Sequence, residues 1–198
     1  MRLHTRIRAF TCPMPALVAR APREGRLLEV GCGHGLFANE CALRYPQLEV
    51  LGLDPAPAKI RAAAATVGPR PNVRFQEGRV EALAAGGFDC VALIDVLYLV
   101  PRGEWSGFLS ACRDALCPGG RLLLKEVDVR PRWKFYRCVF QEALSVKLLG
   151  HTLGAGLAFA GRDQMPALLG AAGFRDVRVS DLGHGYLTPH VLYEAERA

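Results

Sequence analysis

Apolar positions along the chain alternate between short continuous blocks and stripes at helical spacing. "RLLEV" (26–30) is a compact apolar block that reads as a strand, and "HGLFANECALRY" (34–45) spaces its apolar residues as a helix that stops before Pro46. "LEVLGLD" (48–54) predicts a second strand, and "PAPAKIRAAAATV" (55–67) an Ala-rich helix with proline in its first turn. "NVRFQEG" (72–78) is a third strand, polar enough to lie at a sheet edge. "FDCVALIDVLYLV" (88–100) is nearly unbroken, as expected of a central parallel strand buried on both faces. A helix over 104–116, a turn at "CPGG" and a fifth strand "RLLLKEV" (121–127) follow.

Strands alternating with helices predict right-handed crossovers and an α/β fold with a doubly wound, Rossmann-like, mostly parallel sheet. The end of the chain breaks the alternation. "MPALLGAAGF" (165–174) is a helix closed by Gly173, and "RDVRVSDL" (175–182) and "HVLYEAE" (190–196) form a C-terminal antiparallel hairpin around "GHGYLTP". Residues 130–160 are a lid-like insertion opening with a basic amphipathic helix. The whole reads as a single domain, 1–198, with an N-terminal cap segment at 1–25.

Composition narrows the class. The chain is 51% hydrophobic and 22% charged, typical of a folded domain, and no stretch nears ~18 uninterrupted apolar residues. Arg6, Arg8 and Pro13 interrupt any signal-peptide apolar region, so a cytoplasmic location is expected. Seven cysteines without a CxxC pair predict reduced, buried thiols in place of a disulfide framework, and no metal site. Charge is unevenly spread. Residues 1–26 hold six Arg against one Glu, and residues 130–147 hold three Arg and two Lys against one Glu, while the remainder is net negative.

The glycines at 31, 33 and 35 in "LLEVGCGHGLFA" carry the chemistry. A dinucleotide fingerprint needs a third glycine where Leu36 stands, and a phosphate loop needs a Lys–Ser/Thr pair that is absent. "EVGCGHG" instead resembles the [DE]-x-G-x-G-x-G motif of class I S-adenosylmethionine-dependent methyltransferases. "GLDPAPAKI", "FDCVALIDVLYLV", "LCPGGRLLLKE" and "LLGAAGF" resemble later stretches of that family in the same order. The resemblance covers about residues 25–128 and 163–196. It implies S-adenosyl-L-methionine as cofactor, held by Glu29, Gly31, Cys32, Gly33 and Gly35 at the first turn. It also implies Asp54, with Pro55 beside it, accepting both ribose hydroxyls. One carboxylate suits a vicinal diol because it accepts two charge-assisted hydrogen bonds. Gly78, Arg79 and Val80 stand at the adenine position; Arg79 replaces the acid common there and cannot accept, which leaves the Val80 N–H for the ring. Cys32 and His34 are read as turn residues and not catalysts. Asp95, a carboxylate at an apolar strand end, is assigned to the cofactor pocket, because an unsatisfied buried charge is costly.

Methyl transfer is an in-line displacement, so the protein's task is alignment. An alcohol or phenol acceptor also needs a proton acceptor nearby. The catalytic residue is left open among Tyr98, His184, Tyr186, His190 and His151. Glu126 and Asp128 have no third partner in sequence for a metal. The expected reaction is methyl transfer, at oxygen, to a small anionic, lipophilic or carrier-tethered molecule. An RNA methyltransferase and a non-catalytic S-adenosylmethionine-binding partner protein are the alternatives. The strand ending "IDVLY" lacks the [DN]-P-P-[YF] pattern of many amino-group nucleic-acid methyltransferases and no separate RNA-binding module is visible, which speaks against the RNA alternative; no DNA partner is expected either. The resemblance places both basic segments over the substrate opening, where an anionic substrate, an acidic carrier protein or a peripheral membrane contact would explain them. Oligomeric state is not readable.

Overall fold

β1 (Glu24–Val30), β2 (Gln47–Asp54), β3 (Val73–Glu77), β4 (Phe88–Ile94) and β5 (Leu116–Val127) are parallel, while β6 (Phe174–Asp181) and β7 (His190–Arg197) close the chain as an antiparallel pair. In this computed structural model, which describes residues 11–68, 70–149 and 158–198, the strands form one sheet in the order β3-β2-β1-β4-β5-β7-β6. The expected α/β Rossmann-like sheet with its C-terminal hairpin is therefore present. β7 inserts antiparallel between β5 and β6. The polar β3 is an edge, as its composition predicts.

Helices cover both faces. α1 (Met14–Val18), α2 (Leu36–Arg44) and α3 (Pro57–Ala64) precede β4; α4 (Trp105–Ala115), α5 (Arg132–Leu149) and α6 (Met165–Ala171) follow it. β4 supplies both layers through the two-residue period of a strand. Val91 and Leu93 join Leu109 of α4 and Leu169 of α6, while Cys90, Ala92 and Ile94 join Leu17 of α1 with Phe37 and Cys41 of α2. All seven cysteines are free thiols and six are buried.

Two expectations need correction. The apolar run 88–100 is not one strand: β4 stops at Ile94, Asp95 takes a left-handed conformation (φ 58°), and Leu97–Leu99 form a 3₁₀ turn. Apolarity persists there because the turn is buried, not because the strand continues. "CPGG" lies within β5, where pairing jumps from Phe88↔Leu116 to Cys90↔Arg121 around Gly119 (φ 75°), a bulge in place of a free turn. The expected basic helix of the insertion forms at 132–149, with Phe135 half-buried. Trp133, Tyr136 and Phe140 are exposed.

Leu93 is fully buried at the centre of the sheet. Leu93→Ala should cost about 2–5 kcal/mol of stability, read as a lowered urea midpoint with an unchanged slope.

Candidate functional site

The turn after β1 is built to pack tightly on two sides and stay open on the third. Gly31, Gly33 and Gly35 all take positive φ (73°, 54° and 73°), where a side chain is strained. A Cβ on Gly31 would lie 2.6 Å from Val96 Cγ2, and one on Gly35 would run into the Phe75 ring. A Cβ on Gly33 would meet nothing within 4 Å. The first and last glycines admit neighbouring side chains; the middle one faces free space. The amides of Gly31 and Cys32 both donate to the Leu53 carbonyl (2.7 and 3.0 Å), tying the turn to the end of β2.

Two carboxylates hold this arrangement. α2 begins on Gly35 without a side-chain cap, and its Ala38 amide donates instead to Glu29 Oε2 at 3.0 Å. A buried carboxylate at a helix start satisfies an orphan amide and faces the positive end of the helix dipole. Asp54 Oδ2 accepts from the Gly33 amide and Oδ1 from the Ala56 amide, each at 2.9 Å. Each carboxylate oxygen can accept more than once, so these bonds leave room for a diol. The Gly78 amide donates to the Asp54 carbonyl at 3.2 Å, bringing the turn after β3 alongside. Pro55 is exposed. The Arg79 side chain is 63% exposed and 3.7 Å from Glu81, while Val80 is buried. Burial pushes the Cys32 thiol up, with the charges of Glu29 and Asp54 adding to it, so this sulfur stays neutral. The open side at Gly33, the two acids and the β3 turn thus converge on one cradle, and these groups fit an adenosine-bearing ligand in kind.

The turn after β4 rests on Asp95 and Glu126, both read from the sequence, and on Lys125, which the sequence reading left aside. The Lys125 ammonium, fully buried on β5, meets Asp95 Oδ1 at 2.5 Å, and the Asp95 amide donates to the Lys125 carbonyl at 3.0 Å. Removing one partner of such a buried pair typically costs about 3–5 kcal/mol. Beside it, Glu126 Oε1 accepts from the amides of Leu97 (2.9 Å) and Val96 (3.3 Å). Burial, and then the negative charge of Asp95, push the Glu126 carboxyl up to about 8. The charged pair "KE" inside an otherwise apolar strand was the available signal. What it lacked was the neighbouring strand that explains it.

The catalytic candidates separate into two groups. Tyr98 is buried, its ring stacked on Phe159 at 5.4 Å, and Phe135 of α5 meets Phe159 edge-on at 5.0 Å. In the 182–189 loop, the Tyr186 ring lies 5.3 Å from the His190 ring, and His190 Nε2 is 2.7 Å from the Thr11 carbonyl. His184 is exposed and His151 lies outside the described residues, as do Leu3, Ile7 and Phe10 of the first basic segment. The first turn of α5 joins the groups, because Lys134 Nζ donates to the Tyr186 carbonyl at 2.7 Å while Phe135 reaches Phe159. The described ends of both basic segments therefore touch one loop: Thr11 through His190, and Lys134 through Tyr186.

An open cavity of about 360 Å³ lies elsewhere, at the amino ends of β1–β3, lined by Arg26, Gln47, Glu49, Arg74 and Phe88 among others. It is at the opposite end of the strands from the glycine turn. Among the described residues, no cluster of three His, Cys, Asp or Glu is arranged to hold a metal.

Residues 28–122 match the methyltransferase domain family. The ubiquinone biosynthesis O-methyltransferase of Albidiferax ferrireducens is 35% identical over 112 residues, covering 54% of this chain and 43% of that protein. Its counterpart in Azotobacter vinelandii is 27% identical over 168 residues, 83% of this chain and 71% of that one. The matches to the first relatives span less than half of their length. Human N-acetylserotonin methyltransferase, in complex with S-adenosylmethionine, superposes with a TM-score of 0.76 at 20% identity, over 100% of this chain and 55% of that one. A Methanosarcina mazei S-adenosylmethionine-dependent methyltransferase superposes at 0.70 and 21% identity, covering 92% and 97%.

Folded, Glu126 keeps its proton up to about pH 8; unfolded, it releases it near 4.5. Between those values the folded state binds more protons, so its contribution to stability falls as pH rises. Glu126→Gln keeps the acceptor for Leu97 and Val96 but cannot ionise. Its unfolding midpoint should therefore vary less than the wild type's between pH 5 and 8, as followed by urea unfolding at each pH.

Proposed function

The chain belongs to the class I S-adenosylmethionine-dependent methyltransferases, and we propose that it transfers the methyl group of S-adenosylmethionine to a hydroxyl oxygen of a small, lipophilic molecule. The observation that carries this reading is the turn at Gly33, open on one side and fixed on the others by Glu29, Asp54, Val96 and Phe75. The bound sulfonium supplies an already activated methyl group. The chain's own residues supply position. The Gly33 side admits the cofactor's backbone-sized approach, and Asp54 accepts the ribose hydroxyls through its remaining lone pairs. Val80 offers its amide to the base in place of the acid that Arg79 lacks. Asp95, held by Lys125, lines the end of β4 as part of the pocket.

Oxygen is favoured as acceptor because the curated relatives are named as O-methyltransferases, and ubiquinone biosynthesis in those proteins points to a lipophilic aromatic class. A phenolic oxygen must lose its proton as the new C–O bond forms, which calls for a nearby acceptor. Tyr98, Tyr186 and His190 are proposed as the groups around the acceptor. His190 is the proton acceptor of choice, since a neutral imidazole is the only ordinary base among them near pH 7. Carbon-14 methyl transfer to hydroxylated aromatic compounds carrying an alkyl chain tests the reading. Transfer to RNA alone would replace the substrate class, and no transfer to any cell-extract component would leave only a binding protein.

Calorimetry should show S-adenosylhomocysteine binding and no NAD binding; tight NAD binding alone would sink the assignment. Asp54→Ala removes charge-assisted bonds worth ~1.5–3 kcal/mol and should weaken S-adenosylhomocysteine about ten- to hundredfold. Unchanged affinity would mean that the ribose is held elsewhere.

A further inference from the structure

The outer face of α5 takes no part in the proposed cofactor cradle, and its composition is unusual for a solvated helix. Trp133, Tyr136 and Phe140 fall on one stripe at helical spacing and are 59%, 61% and 72% exposed. The helix cannot simply roll to hide them. Phe135 is engaged edge-on with Phe159, Cys138 is buried, and Lys134 is bonded to the Tyr186 carbonyl. These inward contacts set which face looks out. Arg132 and Arg137 are exposed along the same stripe, and between Asp128 and Glu142 the chain carries four cations and no acid.

Aromatic rings with polar edges, flanked at once by arginines, match the boundary between lipid headgroups and acyl chains. Aromatic residues and arginine also mark protein interfaces, so it is the one-signed charge around the rings that decides the occupant. We propose that the Trp133–Tyr136–Phe140 face of α5 docks on an anionic bilayer surface, with the rings at the headgroup boundary and Arg132 and Arg137 on lipid phosphates. Charge complementarity selects this occupant, since among the described side chains of α5 the face offers only positive charge. Among the described residues no helix is long and apolar enough to cross a membrane, so the contact is peripheral. The ring contacts Phe135–Phe159–Tyr98 run from this helix to the turn after β4. Docking therefore sets the proposed acceptor side toward the lipid, a consequence that rests on the methyltransferase reading; the docking itself does not.

Trp133 and Trp105 are the chain's two tryptophans, and Trp105 is 3% exposed, so a change in tryptophan emission on docking reports Trp133. The full chain is mixed with vesicles of phosphatidylcholine alone or with one third phosphatidylglycerol. Co-sedimentation and a blue-shifted emission are expected with the anionic vesicles only. Arg132→Gln with Arg137→Gln should weaken that binding about thirtyfold. Trp133→Ser with Tyr136→Ser should weaken it as well, while Trp133→Phe keeps binding and loses the blue shift. S-adenosylhomocysteine affinity and the unfolding midpoint serve as folding controls and should be unchanged in all three. Equal binding to neutral vesicles, binding that survives both double substitutions, or no binding at all overturns the proposal. So does self-association through this face without vesicle binding, which would make a second copy the occupant. Vesicle binding by a chain that fails to bind S-adenosylhomocysteine would overturn the reaction and leave the docking standing.

Discussion

Backbone amides that leave the carboxyl ends of parallel strands have no partner within the sheet, and this structure meets that constraint with buried acidic side chains. Glu29 at the end of β1 takes the Ala38 amide of α2, and Asp54 at the end of β2 takes those of Gly33 and Ala56. Glu126 near the end of β5 takes those of Val96 and Leu97. An unmade bond at the two fully buried amides, those of Ala38 and Leu97, would cost about 1–3 kcal/mol. Each acid thus shapes a loop before it can touch a ligand. The two acids that a motif reader assigns to a cofactor are first of all supports for the turns that would hold it.

The same economy explains the glycines. Val96, set by the Glu126 contacts, occupies the space beside Gly31, and Phe75 of the edge strand occupies the space beside Gly35. Only Gly33 looks into a void. A turn shaped by neighbours on both flanks is preorganised, so little ordering remains when a ligand arrives. The Asp95–Lys125 pair extends that rigidity to the end of β4. There the chain reverses through a left-handed aspartate, a conformation that a short polar side chain tolerates better than most.

Beyond the sheet, α5 and the β6–β7 loop form the variable part of the molecule. Lys134, Phe135, Tyr186 and His190 knit the helix, the loop and Thr11 together through one ammonium, one imidazole and four rings once Phe159 and Tyr98 are included. Such contacts leave the glycine turn with Glu29 and Asp54 untouched. A shared cradle with a distinctive cover is how one fold serves many acceptors.

Local pattern alone carried the order of strands and helices, the edge position of β3, the C-terminal hairpin and the glycine turn with Glu29 and Asp54. These are encoded within a few residues, by periodicity and by positions that demand glycine. The run 88–100 misled because burial, not strand geometry, keeps it apolar past Ile94. No local signal could give Lys125 its partner, since Asp95 becomes its neighbour only when β4 and β5 pair. Nor could spacing tell that His190 is buried against Thr11 while His184 is exposed, or that α5 turns Phe135 inward and Trp133 outward. Those outcomes depend on which elements the sheet order brings together. For that reason the glycine turn was legible in the sequence, and its supports and cover were decided by tertiary packing.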